Sequence, residues 1–498
     1  MKKNGRLSLL LAALLLSGSI LTGCSEAGNP ETNETSGTAG GETAPEADAA
    51  MEETAEEEFA TDQVPELDFG GETVSMAGQG TAGANNELDM WVAELTGDVV
   101  SDAIFQRNVT MEERFNVVIA EPLMSDYGTI STTIKSMVQA GDATYDFVLN
   151  QLAQTSADVL NGYSMNLNEI PYLDFTMRWY PGNVLESASL NGKLYLMVSD
   201  MCISYVGQTW SMCFNKDLTT DLGIEDLYSV AREGAWTIDK LKELSADIYL
   251  DVNGDGARDD KDTYGFTMGS GLNGCMGGAF LYGAGQRYMD VNDDFTINHL
   301  MGSEHAEAVA EKFYELNSSA GSTVFTADGM TLKAMMTQVA VFAPSQLGHY
   351  YTTARDFEGT FGVLPMPKFD AAQESYATLC DAGCNCISVP ITCRNPELTG
   401  AMIEAMSAYS TNNVIPAYVD VSLQTKIARD EESVEMMQIV LDSRVMDFGY
   451  LYCGWNGWTW QIADLFKDPG SYISNYQKRE KMMTKTYEKI IAEFMDEE

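Results

Sequence analysis

The residues whose spacing carries the most chemistry are Asp251, Asn253, Asp255, the Ala257 carbonyl, Asp259 and Asp262. Counted from Asp251, they fall at the first, third, fifth, seventh, ninth and twelfth places of a loop. Gly256 stands at the sixth, where a sharp turn is needed. Alternate oxygens of a loop wrapped in this register converge on one hard cation, and the register is that of a calcium loop. The twelfth place is an aspartate, not the bidentate glutamate of a calcium sensor. Thr263-Tyr264-Gly265-Phe266 then reads as a strand, not as an exiting helix. Both features point to a structural Ca2+ site; the plain alternative is a solvated acidic turn.

A second group, Cys380, Cys384, Cys386 and Cys393, has the sulfur for a metal cluster but lacks the paired C-x2-C knuckles of zinc sites. Free or partly paired thiols are the expectation there and at Cys202, Cys213, Cys275 and Cys453. Acid–base and phosphate chemistry find little support. His299, His305 and His349 lie outside any H-E-x-x-H pattern, and Gly192-Lys193 lacks the rest of a phosphate-binding loop. A pair of carboxylates, as a glycosidase would use, is left open by so acidic a chain.

The amino terminus says where this chemistry works. Lys2, Lys3 and Arg6 precede an apolar run from Leu9 to Leu21 that is too short to span a membrane and right for a signal sequence. Leu21-Thr22-Gly23-Cys24 has the ending at which a cysteine is lipidated after cleavage, so Cys24 is the expected anchor and residues 1–23 the signal peptide. Residues 24–68 are rich in Glu, Thr, Gly, Ala and Pro, and cannot bury enough apolar surface to order themselves. They read as a solvated acidic tether, reaching about 35 Å or more by flexible-chain scaling.

The remaining chain is too long for a single core, since cores stop growing at about 250–300 residues. Strands near Glu72–Met76, Val117–Ala120 and Tyr145–Leu149 alternate with helical patterns over Asp102–Phe115 and Ile130–Met137. That alternation predicts an α/β fold with a parallel sheet. Gly78-Gln79 reads as a glycine-rich turn and, with Asn150-Gln151, falls beyond the carboxyl ends of strands, where such sheets bind ligands. Thr237 reads as the N-cap of a helix carrying Ile238, Leu241, Leu244 and Ile248. A formal charge of -45 argues against nucleic acid and polyanionic substrates, leaving neutral or cationic ligands.

Several segments together resemble the family 1 extracellular solute-binding proteins of bacterial ABC importers. They are Phe214-Asn215-Lys216-Asp217-Leu218, Gly234-Ala235-Trp236-Thr237-Ile238-Asp239-Lys240-Leu241, the Asp251 loop with Tyr264-Gly265-Phe266, Phe361 to Lys368, Pro416-Ala417-Tyr418 and Ala428 to Ser433. The resemblance implies the periplasmic-binding-protein type II fold, two α/β lobes hinged about a ligand cleft. It implies a first lobe of residues 69–209 and 326–379, with Val339–Gln346 in its returning segment. The second lobe would be 210–325 and 380–498, with crossings at 204–216 and around 380–389. It further implies a membrane-anchored protein that binds a neutral saccharide, hands it to an ABC permease and works as a monomer, in a Gram-positive bacterium.

A saccharide needs aromatic faces for its C–H surfaces and planar amides or carboxylates for its hydroxyls. Gly454-Trp455-Asn456-Gly457-Trp458-Thr459-Trp460 falls where the family places a stacking aromatic, so Trp458 leads the candidates, followed by Trp455. Gln208 and Trp210 lie before the Asn215-Lys216-Asp217 landmark, and Gln79, Gln151, Asn273, Gln346 and Asp381 complete the set. Gln208 stands where maltose-binding relatives have an acid, which argues against maltodextrin as such. A surface glycoside hydrolase, an adhesin, or an importer component for peptide or another solute are the competing readings.

Overall fold

The computed structural model describes residues 59–495, apart from 81–85, 270–273, 319–322, 327–330, 355–356, 429 and 455. Cys24, the signal and most of the tether therefore lie outside the described residues, as do Asn273 and Trp455. The strands of the two main sheets are, in chain order, β1 (Met76–Gln79), β2 (Leu123–Ser125), β3 (Phe147–Gln151), β4 (Trp210–Asn215), β5 (Thr263–Gly269), β6 (Thr323–Thr326), β7 (Ala340–Gln346), β8 (Phe361–Leu364) and β9 (Asn385–Ser388). The first sheet runs β9-β3-β1-β2, the second β6-β5-β7-β4-β8. In the first, β1, β2 and β3 are mutually parallel and β9 is antiparallel to β3. In the second, β5, β6 and β7 are parallel and β4 runs against β7 and β8. This is the type II arrangement, with helices covering parallel strands and two strands of opposite sense where the chain crosses over.

The helices begin and end where local chemistry directs. α1 (Val99–Phe115) is capped by Asp98, whose carboxylate accepts from the Val100 and Ser101 amides, and ends on Asn116 in the left-handed conformation. α2 (Tyr127–Ala140) starts on Asp126 and stops at Gly141 with φ of 65°. It buries Ile130, Ile134 and Met137 against Ala77 and Val148 of the first sheet. α3 (Leu152–Leu160) follows β3 without a break. α4 (Ile238–Ser245) is capped by the Thr237 hydroxyl, which accepts from the Lys240 amide, as its sequence predicts. α5 (Gly274–Gly283) follows β5, α6 (Pro396–Tyr409) packs along α1, and α7 (Tyr472–Met495) is the long carboxyl-terminal helix.

Two expectations need correction. Gly78 sits within β1 and not in a turn: it pairs with Leu149 and Met124 on its two sides. A Cβ there would lie 2.4 Å from the Leu149 carbonyl oxygen and 2.6 Å from the Met90 side chain. Glycine is required by close approach. The lobe boundaries are also different. β7 and β8, inside 326–379, belong to the second sheet, and β9, inside 380–498, belongs to the first. Val339–Gln346 is thus part of the second sheet. The physical reason is the crossing itself: the chain enters the second sheet through Thr209 and leaves it through Cys380, and these two residues pair antiparallel. The strands threaded between them at Trp210–Asn215, Thr263–Gly269, Thr323–Thr326, Ala340–Gln346 and Phe361–Leu364 share the second sheet's ladder.

The close fit at Gly78 sets a stability test. Gly78→Ala must push Met90 and the β1–β3 ladder apart, at a cost of about 1–3 kcal/mol. Chemical denaturation should show a lower midpoint with an unchanged slope.

Candidate functional site

The carboxyl ends of both sheets meet at the crossing. From the first sheet come Gln79 at the end of β1 and Asn150-Gln151 at the end of β3, with Asn385 of β9 paired opposite Gln151. From the second comes Gln346 at the end of β7, paired opposite Trp210 at the start of β4. Gln208 and Asp381 occupy the two crossing segments. The structure therefore gathers Gln79, Gln151, Gln208, Trp210, Gln346 and Asp381 at the junction of the two sheets. All but Gln151 are buried, none more than 8% exposed.

Hydrogen bonds join Gln208, Trp210 and Asp381 in a continuous chain through Asn86 and Gly383. The Asp381 amide donates to the Gln208 carbonyl at 2.9 Å, and Gln208 Nε2 donates to Asn86 Oδ1 at 2.8 Å. Asn86 Nδ2 donates to the Gly383 carbonyl at 2.9 Å, and the Gly383 amide returns to Asp381 Oδ1 at 2.8 Å. Trp210 Nε1 donates to Asp381 Oδ2 at 3.2 Å. Burial raises the Asp381 carboxyl, opposed by bonds from the Gly383 amide, Cys275, Trp210 and Gln346. Cys275, at the start of α5, thus brings the second sheet's helix to the same carboxylate. Three acceptors of the first sheet, Asn150 Oδ1, Gln151 Oε1 and Asn385 Oδ1, are buried without a hydrogen-bond partner among the described residues.

Next to this chain lies a buried acid that the sequence reading did not single out. Asp89 accepts from the Ser204 amide at 2.8 Å, the Ser204 hydroxyl at 2.5 Å and Asn385 Nδ2 at 2.9 Å. Arg107 lies against the same turn and donates to the Asp89 and Met90 carbonyls. Burial pushes Asp89 up to about 7 and Arg107 down to about 10, because each loses water that its neighbour replaces only in part. The available signal was a lone acid in the apolar stretch Leu88-Asp89-Met90-Trp91, which is costly unless bonded.

Trp458 stands elsewhere. Its ring is fully buried, stacked on Tyr476 at 5.4 Å between centroids, with the His299 ring edge-on at 5.7 Å. Its indole N–H donates to His299 Nδ1 at 3.3 Å. This corrects the expectation of a free stacking face, since Tyr476 of α7 already covers it. Neighbouring Gly454 does approach the first sheet's helix, its amide donating to the Ser156 hydroxyl of α3 at 3.0 Å.

The acidic loop closes a hairpin, Leu250 pairing with Thr263 of β5. Gly254 and Gly256 adopt φ of 71° and 73°, the turn a calcium loop needs. Its side chains cap the loop's own amides: Asp251 accepts from Gly254 and Gly256, Asn253 from Asp255, and Asp255 from Ala257. Asp259 is paired with Lys261 at 3.0 Å, while Asp262 accepts from the Tyr249 hydroxyl. Asp262 Oδ1 is buried with no hydrogen-bond partner among the described residues. The donor set fits a hard cation by type. Among the described residues, however, no three acidic, histidine or cysteine side chains converge closely enough to hold one, because Asp251 and Asp255 are turned to backbone amides. The eight described cysteines are free thiols, and burial pushes Cys213 and Cys453 up to about 12.

The fold and this junction define a two-sheet solute-binding architecture. The sequence pattern of the bacterial extracellular solute-binding proteins matches residues 117–407, more than half of the chain, and the chain belongs to that family. No curated protein matches it in sequence. Among solved structures it is similar to the maltose/maltodextrin-binding domain MalE from Bdellovibrio bacteriovorus bound to maltotriose, with 12% identity, a TM-score of 0.54 and coverage of 84% of this chain and 100% of that one. It is also similar to the cyclic alpha-maltosyl-1,6-maltose binding protein from Arthrobacter globiformis (13%, 0.56, 85% and 99%) and to the GacH receptor of Streptomyces glaucescens (15%, 0.51, 86% and 100%). Among the described residues no helix is long and apolar enough to cross a membrane.

The Asp89 environment predicts a pH dependence. Its folded pKa, about 7, lies above the unfolded value of about 4, so the folded state holds the proton more tightly between them. The stability it contributes is full below about pH 4 and is lost as pH rises through about 7. Asp89→Asn removes this titration. The difference in denaturation midpoint, wild type minus variant, should shrink from pH 5 to about pH 7 and level off above it; a constant difference would contradict the assignment.

Proposed function

We propose that this chain captures a neutral saccharide at the junction of its two sheets and releases it to an ABC permease without altering it. The observation that carries this reading is the set of uncharged amides at the junction, Gln79, Asn150 and Gln151 at strand ends and Gln208 on the crossing, in a chain of charge -45. Planar amides both donate to and accept from sugar hydroxyls, and Asn150 Oδ1 and Gln151 Oε1 are buried acceptors awaiting donors. The saccharide ligands named for the Bdellovibrio and Arthrobacter proteins support the same class of cargo.

Because the junction is buried, entry requires the sheets to part about the crossing at Thr209 and Cys380. A ligand touching both sides then favours closure by its differential affinity for the closed state. Cys24 would carry the lipid anchor and the protein would work as a monomer at the outer face of the cell membrane. The tether would be shorter than residues 24–68, because Ala60 is bonded to Asn412, Arg114 holds Asp62 and Val64 is buried in the core. A tether of this kind keeps the loaded protein at high effective concentration near its permease.

Calorimetry against mono- and oligosaccharides tests the reading. One sugar class should bind and be recovered unchanged, and Gln151→Ala should weaken it about tenfold, the worth of one buried hydrogen bond. Hydrolysis of the sugar would favour the glycosidase reading. Binding of peptides alone would move the cargo to another class.

Calcium is proposed as a structural ion of the Asp251 loop. Asp251, Asn253, Asp255, the Ala257 carbonyl, Asp259 and Asp262 would hold it once Asp251 and Asp255 swing from the loop amides. The ion would neutralise the buried Asp262 oxygen. Added Ca2+ should raise the melting temperature of the wild type and leave Asp251→Asn/Asp255→Asn unmoved; an equal response of both proteins would refute the site.

A further inference from the structure

A cationic surface of this strongly acidic chain lies far from that junction in sequence, on α7. Lys478, Lys481, Lys485 and Lys489 recur at intervals of three, four and four residues, which places them on one face of the helix. All four are exposed. With Leu160 at the end of α3, Asn456, Met482 and Thr486 they line a trough of about 570 Å³. Arg479, on a neighbouring face, is paired with Asp464 at 2.5 Å. The trough lysines are not: among the described residues none of the four makes an ion pair, and Lys478 reaches only Asn475 Oδ1 at 3.3 Å.

Like charges at helical i, i+4 spacing repel by a few tenths of a kcal/mol per pair, so the stripe is unfavourable for the helix by itself. Nor does it serve solubility, since a chain with 74 acidic and 29 basic residues already has charge to spare. In a molecule whose general field repels anions, this is a local exception with a concave shape.

We propose that the trough is a binding site for a linear polyanion bearing phosphate groups. The four ammonium groups span about 16 Å along the helix, given 1.5 Å per residue. A lone phosphate would meet one or two of them, whereas a linear chain of phosphates meets all four as separate point charges. A concave trough one helix face wide suits a strand better than a flat bilayer. Asn456 and Met482 add an amide and an apolar side chain to the lining. Such a site would hold the protein to a phosphate-rich polymer outside the cell while leaving the sheet junction free, and it does not depend on which solute the junction binds.

Inorganic polyphosphate added to the full chain, followed by fluorescence anisotropy at low and raised salt, tests this. Binding should occur at low salt and fall steeply as salt is added, as counterion release requires. Lys481→Gln/Lys485→Gln should weaken it about tenfold and flatten the salt dependence, while Lys481→Arg/Lys485→Arg should retain it. Lys467→Gln, away from the trough, should behave as wild type. The proposal is overturned if polyphosphate does not bind at low salt, or if the double glutamine variant binds as well as wild type. It is equally overturned if anionic phosphatidylglycerol vesicles bind through these lysines and polyphosphate does not.

Discussion

The rest of the structure depends on a buried polar knot where the chain crosses between its sheets. Asp89 receives three donors there, two from Ser204 on the outgoing crossing and one from Asn385 after the return. Asn86 joins Gln208 on one crossing to Gly383 on the other. A carboxylate this deeply buried costs several kcal/mol unless its donors are in place. Once they are, any rearrangement of the crossings must break charge-assisted bonds in a low dielectric. The knot therefore fixes the register of the two crossings, and with it which strands can join which sheet.

That constraint also suits hinged motion. The bonds of the knot lie among groups on the crossings and the first sheet, whereas Gln346 and Cys275 reach Asp381 from the second sheet. Parting the sheets can break the latter contacts while preserving the former. Opening then costs a few peripheral bonds and not a buried charge, which keeps the two states within reach of a ligand's differential affinity.

The sequence was most legible where local rules act alone. Helix α2, the Thr237 cap and the strand from Thr263 follow from periodicity and capping, and the structure reproduces them. The placement of Gln79 and Asn150-Gln151 at strand ends was legible as well, from the alternation of strands and helices. The lobe boundaries were not legible, since they turn on a long-range pairing of Thr209 with Cys380 that no local pattern announces. Gly78 misled for a related reason. A glycine required by the approach of Met90 looks the same in sequence as a glycine required by a turn.

Trp458 and Asp89 mark the limit from opposite sides. An aromatic between glycines has the composition of a binding loop, but an indole has two faces, and Tyr476, eighteen residues on, lies flat against one of them. The stacking partner expected from a sugar is supplied by the chain itself. Asp89 shows the reverse: a residue with no motif around it becomes central because folding removes its water and puts Ser204 and Asn385 in its place. In both cases the role of the side chain is set by what long-range packing brings against it. Residue type restricts the chemistry available; the crossing decides which of that chemistry is used.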